Sequence, residues 1–233
     1  GAQHHGRADC RDRRLARTAQ IRKPPGLILS RDAMAMSHKL VLASNNPGKL
    51  RELQQLLGTR WQLLAQSALG VEPVAEIGTT FRDNALRKAR HASAVTGLPA
   101  LADDSGIEVD ALDGAPGVWS ARYAGPGASD AANNARLLAE LDGIPSARRT
   151  ARYRCCLVFV RNAEDAAPLI AEGVWAGRIA MRCEGDGGFG YDPLFIDLES
   201  GMCVALMDPA EKNRYSHRQA ALQRLLVLLA GAD

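Results

Sequence analysis

Leu101-Ala102-Asp103-Asp104-Ser105-Gly106 reads as an apolar strand that runs into two adjacent carboxylates and a Ser-Gly turn. Ahead of it lies a helical run, Thr80 to Val95, with Thr80 and Asp83 spaced as a capping box and Gly97 as the C-terminal stop. A helix feeding a strand is the unit of an α/β fold, and carboxylates where a strand ends suit metal binding or water activation. Neighbouring side chains of an extended segment leave on opposite faces, so one of Asp103 and Asp104 is expected in a cleft. The pattern leaves open which.

Upstream, Lys39 to Ala43 reads as a strand, Asn46-Pro47 as an N-cap with proline in the first turn of a helix to Leu57, and Gln62 to Ala65 as a second strand. Downstream, Gly106 to Val109 alternates as a further strand. Asp110 to Gly127 is a long Gly/Pro-rich loop holding Trp119, Arg122 and Tyr123, and Asp130 to Leu141 is helical by pattern. Ala151 to Val160 and Leu169 to Trp175 read as strands, with a third near Arg178 to Arg182. Ser216 to Leu229 closes the chain as a helix with Ser216 and Gln219 in capping-box spacing. Helix-strand alternation around a sheet-rich middle predicts an α/β domain with a central mixed β-sheet and flanking helices.

The chain has 233 residues, 46% of them hydrophobic, enough to bury a sizeable core. Its net charge of +3 is unevenly spread: residues 1 to 35 hold eight Lys/Arg against three Asp, which leaves −2 for the rest. A mildly acidic body lacks the basic footprint of a nucleic-acid binder, so no nucleic-acid partner is expected for it. Residues 1–35 read as a basic, disordered extension and 36–233 as the domain. No stretch reaches the ~20 apolar residues that span a bilayer, so no membrane partner is expected and a cytoplasmic location is. Five cysteines, Cys10, Cys155, Cys156, Cys183 and Cys203, lack CxxC spacing and fit reduced thiols, with Cys155 and Cys156 as small buried strand residues.

Three loops carry further chemistry. Ser44-Asn45-Asn46-Pro47-Gly48-Lys49 joins a strand to a helix, where free N–H groups, the helix dipole and Lys49 would face an anion. It lacks the GxxxxGK[ST] spacing of a P-loop. Lys212-Asn213-Arg214-Tyr215-Ser216-His217-Arg218 adds fixed cations on a second loop, and Glu76 is a further carboxylate that could share a metal. Gly185-Asp186-Gly187-Gly188-Phe189-Gly190 matches G-x-G-x-x-G but opens no helix, so it is not read as a dinucleotide fingerprint. Its glycines would let backbone approach a flat ligand, with Phe189 placed to stack on a base or to fill core. His217, at a helix start, reads as a hydrogen-bonding group and not as a metal ligand. Hard carboxylates, lysines and an anion cradle together suit a metal-bound polyphosphate.

Ser44 to Lys49, Phe81-Arg82-Asp83-Asn84-Ala85 with Lys88, Ala102 to Gly106, Gly114 to Tyr123, Gly188 to Pro193 and Ser216-His217-Arg218 together resemble the Ham1/RdgB family of inosine triphosphate pyrophosphatases, in order and spacing, over residues 38 to about 230. Serine at 44 and Arg214-Tyr215 before Ser216 depart from the common pattern. The resemblance implies two lobes around a nucleotide-binding cleft, a homodimer, Mg²⁺, and hydrolysis of ITP, dITP and XTP to monophosphate and pyrophosphate. It implies Asp104 as proton acceptor and metal ligand, with Glu76 also on the metal. Ser44, Asn45, Asn46, Pro47, Gly48, Lys49 and Lys212 would hold the triphosphate, with Lys88 adding charge. Ser105, Phe189, Gly190, Tyr191, Asp192, His217 and Arg218 would line the nucleoside pocket. A pyrophosphatase for other modified bases, or a nucleotide-binding sensor without turnover, are the alternatives.

Overall fold

Strict alternation along neighbouring strands builds the centre of the molecule. The computed structural model describes residues 38–59 and 61–231; the reading of residues 1–35 as a separate extension lies outside them. Six strands form one sheet: β1 (His38–Leu42), β2 (Trp61–Ala65), β3 (Ala100–Val109), β4 (Thr150–Val160), β5 (Leu169–Ile179) and β6 (Phe195–Asp197). Their spatial order is β2-β1-β3-β4-β5-β6; β1 runs parallel to both of its neighbours and the remaining pairs are antiparallel. The mixed sheet expected from the sequence is the one observed.

Leu40, Leu42, Leu101, Cys155, Leu157 and Phe159 face helices α1 (Pro47–Leu57) and α5 (His217–Ala230), where Leu53, Leu57, Leu222 and Leu225 meet them. The intervening Val41, Ala100, Ala102, Cys156 and Val158 face α2 (Phe81–Thr96) through Ala85, Ala89 and Ala92. Period-two side chains on each strand thus bury both sides of the sheet. Each fully buried leucine contributes about 1.5–3 kcal/mol relative to exposure. A separate apolar cluster, Ile107, Val109, Tyr153, Trp175, Ile179 and Phe195, gathers at the far ends of β3, β4 and β5 with Leu137 of α3 (Asp130–Glu140). Between the two clusters that share this face lie Asp103 and Ser105, and here the sheet opens into a cleft.

Three expectations change. The Ser-Gly turn after Asp104 does not exist: β3 continues to Val109, and Asp103, Asp104, Ser105 and Gly106 all pair with β4. What ends near the carboxylates is β1, whose pairing with β3 stops at Leu101. Gly106 is needed because a Cβ there would lie 2.4 Å from Gly117 O and 2.5 Å from Ser120 Oγ, so the 117–122 turn packs directly on the strand. The separate strand expected near Arg178 to Arg182 does not form: β5 pairs with β4 without a break to Arg178 and ends at Ile179, which pairs with β6. Lys212 lies not on a loop but on a short helix, α4 (Pro209–Tyr215), capped by Asp208, whose side chain accepts from Ala210 N–H. Asp208-Pro209 carried the same cap-then-proline signal as Asn46-Pro47.

Candidate active site

Alternation on β3 separates the two carboxylates. Asp103 shares the face of Leu101 and meets α1 and α5: its Oδ1 is paired with Lys49 Nζ and accepts from Ser105 Oγ at 2.7 Å, and its Oδ2 accepts from Arg218 Nε at 2.9 Å. Burial by itself would raise this carboxyl, but the charges of Lys49 and Arg218 hold it well below the usual carboxylate range. Asp104 turns to α2, where Lys88 Nζ lies 2.6 Å from its Oδ1 and 2.8 Å from Glu76 Oε1. For Asp104 burial outweighs the attraction of Lys88 and pushes the carboxyl up, which makes the ionised form a stronger base; Glu76, also desolvated, is held down by the same lysine. Both carboxylates are buried, but Asp104 stands against Glu76 and Lys88, which line an open pocket, whereas Asp103 is wholly enclosed.

Two connected pockets flank this centre. One, lined by Ser44, Asn45, Asn46, Lys49, Glu76, Lys88 and Arg122, has a volume of about 360 Å³. The other, about 120 Å³, is walled by Ser105, Tyr153, Phe189, Asp192, Lys212 and His217, with Gly190, Tyr191 and Arg218 beside them. Asn46 and Lys49 line both. The roomy end is rich in charge and the narrow end in rings, so a triphosphate fits the first and a flat base the second.

At the charged end, the expectation of free N–H groups narrows to Asn45, whose N–H has no partner among the described residues. Asn46 Oδ1 accepts from Gly48 N–H at 2.8 Å and Lys49 N–H at 3.2 Å, and Pro47 has none, so the loop offers an anion its dipole, the Lys49 ammonium and the side-chain amides of Asn45 and Asn46. Gly48 is buried against the Phe189 ring, which accounts for the absence of a side chain there. Glu76 and Asp104 converge on one ammonium, a two-carboxylate oxygen set of the kind that holds Mg²⁺ when substrate phosphates supply further ligands. The residues present fit such an ion.

At the ring-lined end His217 is buried and stacked on Tyr153, with ring centroids 4.8 Å apart and planes 11° off parallel. Neither ring nitrogen has a hydrogen-bond partner among the described residues, so the hydrogen-bonding role read for His217 has no protein partner here. Lys212, expected on the triphosphate, is instead buried in this wall, 2.7 Å from Asp192 Oδ2 and 3.1 Å from Glu52 Oε1. Its ammonium sits 4.4 Å from the Phe189 ring centroid. Asp192 also accepts from Phe189 N–H and Tyr153 Oη–H, which fixes the glycine-rich loop.

Sequence reasoning missed Glu52 and understated Arg122. Glu52 lies on the buried side of α1 beside Leu53 and binds Arg218 at 2.6 Å; a carboxylate interrupting an apolar helix face was the available signal. Arg122 stacks 4.5 Å over Trp119 and grips Glu76 through both its carboxylate and its carbonyl, at 2.9 Å each.

Comparisons with known proteins give the family. The Ham1 family model matches residues 40–228. A dITP/XTP pyrophosphatase of Methylococcus capsulatus is 57% identical over 201 residues, 84% of this chain and all of the relative; that of Vibrio parahaemolyticus is 51% identical over 82% of this chain and 96% of its own. The solved structure of a HAM1 protein from Coxiella burnetii superposes with a TM-score of 0.77 at 45% identity, covering 83% of this chain and 99% of that one. With the family model reaching from within β1 into α5 and taking in both pockets, the chain belongs to the Ham1 family.

Proposed function

We propose that this protein hydrolyses non-canonical purine nucleoside triphosphates, ITP, dITP and XTP, to the monophosphate and pyrophosphate. One observation carries the reading: a ring-lined pocket, whose buried histidine has no hydrogen-bond partner among the described residues, shares Asn46 and Lys49 with a charged pocket walled by Glu76 and Lys88, and the Lys88 ammonium lies 2.6 Å from Asp104. The named activity of the relatives, dITP/XTP pyrophosphatase, is the same chemistry.

Asp104 orients the attacking water and accepts its proton, a task for which a buried carboxylate with a raised pKa is suited. Lys49, now on Asp103, is within reach of both pockets and turns its charge to the phosphates; Lys88 holds Asp104 and Glu76 in register. The reaction works with a divalent cation. We take it as Mg²⁺, held by Asp104 and Glu76, where it would neutralise phosphate charge. His217 and the 189–192 loop read the base: a 6-oxo purine offers the buried edge an acceptor, where adenine presents an amino donor. The homodimer and the cytoplasmic location belong to the same proposal; among the described residues no helix is long and apolar enough to cross a membrane.

The test is pyrophosphate release from ITP, dITP, XTP, GTP and ATP with Mg²⁺. Discrimination at the 6-position predicts kcat/KM for ITP and XTP above that for ATP by roughly 10² or more; guanine shares the 6-oxo group, so the same margin over GTP rests on the 189–192 loop refusing its 2-amino donor. If ATP or GTP is hydrolysed within about tenfold of ITP, a general nucleotide pyrophosphatase replaces this reading.

A further inference from the structure

Helix α3 touches neither carboxylate, yet its first turns hold both walls of the narrow pocket. Asp130 Oδ2 accepts from Gly190 N–H at 2.6 Å, and Asn134 Nδ2 donates to Gly190 O at 3.0 Å, so both backbone groups of one loop residue are taken by side chains four apart on one helix face. The adjacent Asn133 turns the other way: its Oδ1 accepts from Ala124 N–H at 2.8 Å and its Nδ2 donates to Ala121 O at 3.3 Å, which pins the 117–124 segment. The two walls also meet directly, Tyr191 Oη–H donating to Ser120 O at 2.8 Å.

The Asn134 side chain is buried, and its Oδ1 has no hydrogen-bond partner among the described residues. An amide kept dry at one end is costly, and an apolar side chain of similar size would avoid that cost. The contact that this amide does make is to Gly190, next to Phe189, Tyr191 and Asp192. From these observations we infer that Asp130 and Asn134 are positioning residues for base recognition: they clamp Gly190 so that the Phe189 ring and the Asp192 carboxylate stand at a fixed distance from His217. They touch no reacting atom. The inference rests on the base-end reading of this pocket.

Asp130 is exposed, so Asp130→Ala should fold, and Asp130→Asn keeps an acceptor oxygen for Gly190 N–H. In the full-length protein, hydrogen exchange of segment 185–192 and steady-state kinetics with ITP and GTP separate the possibilities. Asp130→Ala and Asn134→Ala should each speed exchange in that segment by about tenfold and raise KM for ITP by about tenfold with kcat within roughly twofold. The ITP-to-GTP ratio of kcat/KM should fall by about tenfold. Asp130→Asn should return all three towards wild type. A loosened segment with unchanged KM and ratio, or an unchanged segment in Asp130→Ala, overturns the inference. Should wild type itself fail to prefer ITP over GTP, it is the proposed substrate that falls, and the KM of whichever nucleotide is hydrolysed still tests the clamp.

Discussion

Replacing Asp103 and replacing Asp104 should do different damage, because consecutive strand residues face different neighbours. Asp104→Asn keeps the side chain's shape and removes the proposed proton acceptor, so kcat for ITP should fall by about 10²-fold or more with melting temperature little changed. Asp103→Asn leaves Lys49 and Arg218 without their shared counter-charge in a fully buried place, and should instead lower stability by about 3–5 kcal/mol in urea denaturation. His217 gives a pH dependence. Burial first, then the charges of Arg218, Lys212 and Lys49, hold its pKa well below 6.5, with Asp103 opposing. The unfolded chain therefore takes up a proton that the folded one refuses, and stability falls as pH drops below about 6.5, by up to ~1.4 kcal/mol per unit. His217→Phe keeps a ring beside Tyr153 and should flatten that slope between about pH 6.5 and 5; an unchanged slope would place its origin elsewhere. Among the four cysteines in the described residues, burial pushes the Cys156 thiol up to about 12 and raises those of Cys155 and Cys203, while Cys183 is exposed. A thiol reagent should label Cys183 in the native protein and the other three only on unfolding.

Helix caps were legible at the scale of the element. Asn46, Thr80, Ser129 and Ser216 each accept from a backbone N–H of the first turn, and the sequence signals at Asn46, Thr80 and Ser216 were read as such. Helix α4 was overlooked although Asp208-Pro209 announced it, because seven residues give too little periodicity to register. That placement changes what Lys212 does. On a loop it would be free to meet phosphate; on α4 it is buried between Asp192 and Glu52. Lys212→Ala should therefore cost about 3–5 kcal/mol of stability through two carboxylates left facing each other, whereas Lys49→Ala should chiefly raise KM. Equal melting temperatures for Lys212→Ala and wild type would contradict this. Helix α5 reaches the site only because β5 has Gly173, where a Cβ would lie 2.0 Å from His217 O and 2.5 Å from Ala221 N. Gly173→Ala should push α5 off the sheet, destabilising by about 1–3 kcal/mol or more and weakening nucleotide binding with it.

For the whole molecule, the family match covers residues 40–228, and we propose that residues 36–233 work without residues 1–35. A chain begun at Met36 should match the full chain in kcat/KM and melting temperature; a fall of several degrees would show that the preceding residues pack on the domain. The sequence by itself determined most of the longer elements and the alternation of faces along them, because period two on strands, period 3.6 on helices and cap chemistry are local rules. It was thus enough for an α/β domain with a mixed sheet, and, through motif order, for the family. Only the tertiary structure decided that β3 runs on through its carboxylates, that Asp104 meets Lys88 while Asp103 meets Lys49 and Arg218, and that Lys212 is buried between Asp192 and Glu52. Each of these depends on partners 16 to 166 residues away in sequence, from Lys88 on Asp104 to Glu52 on Arg218, and no local pattern encodes a charge's partner across that distance.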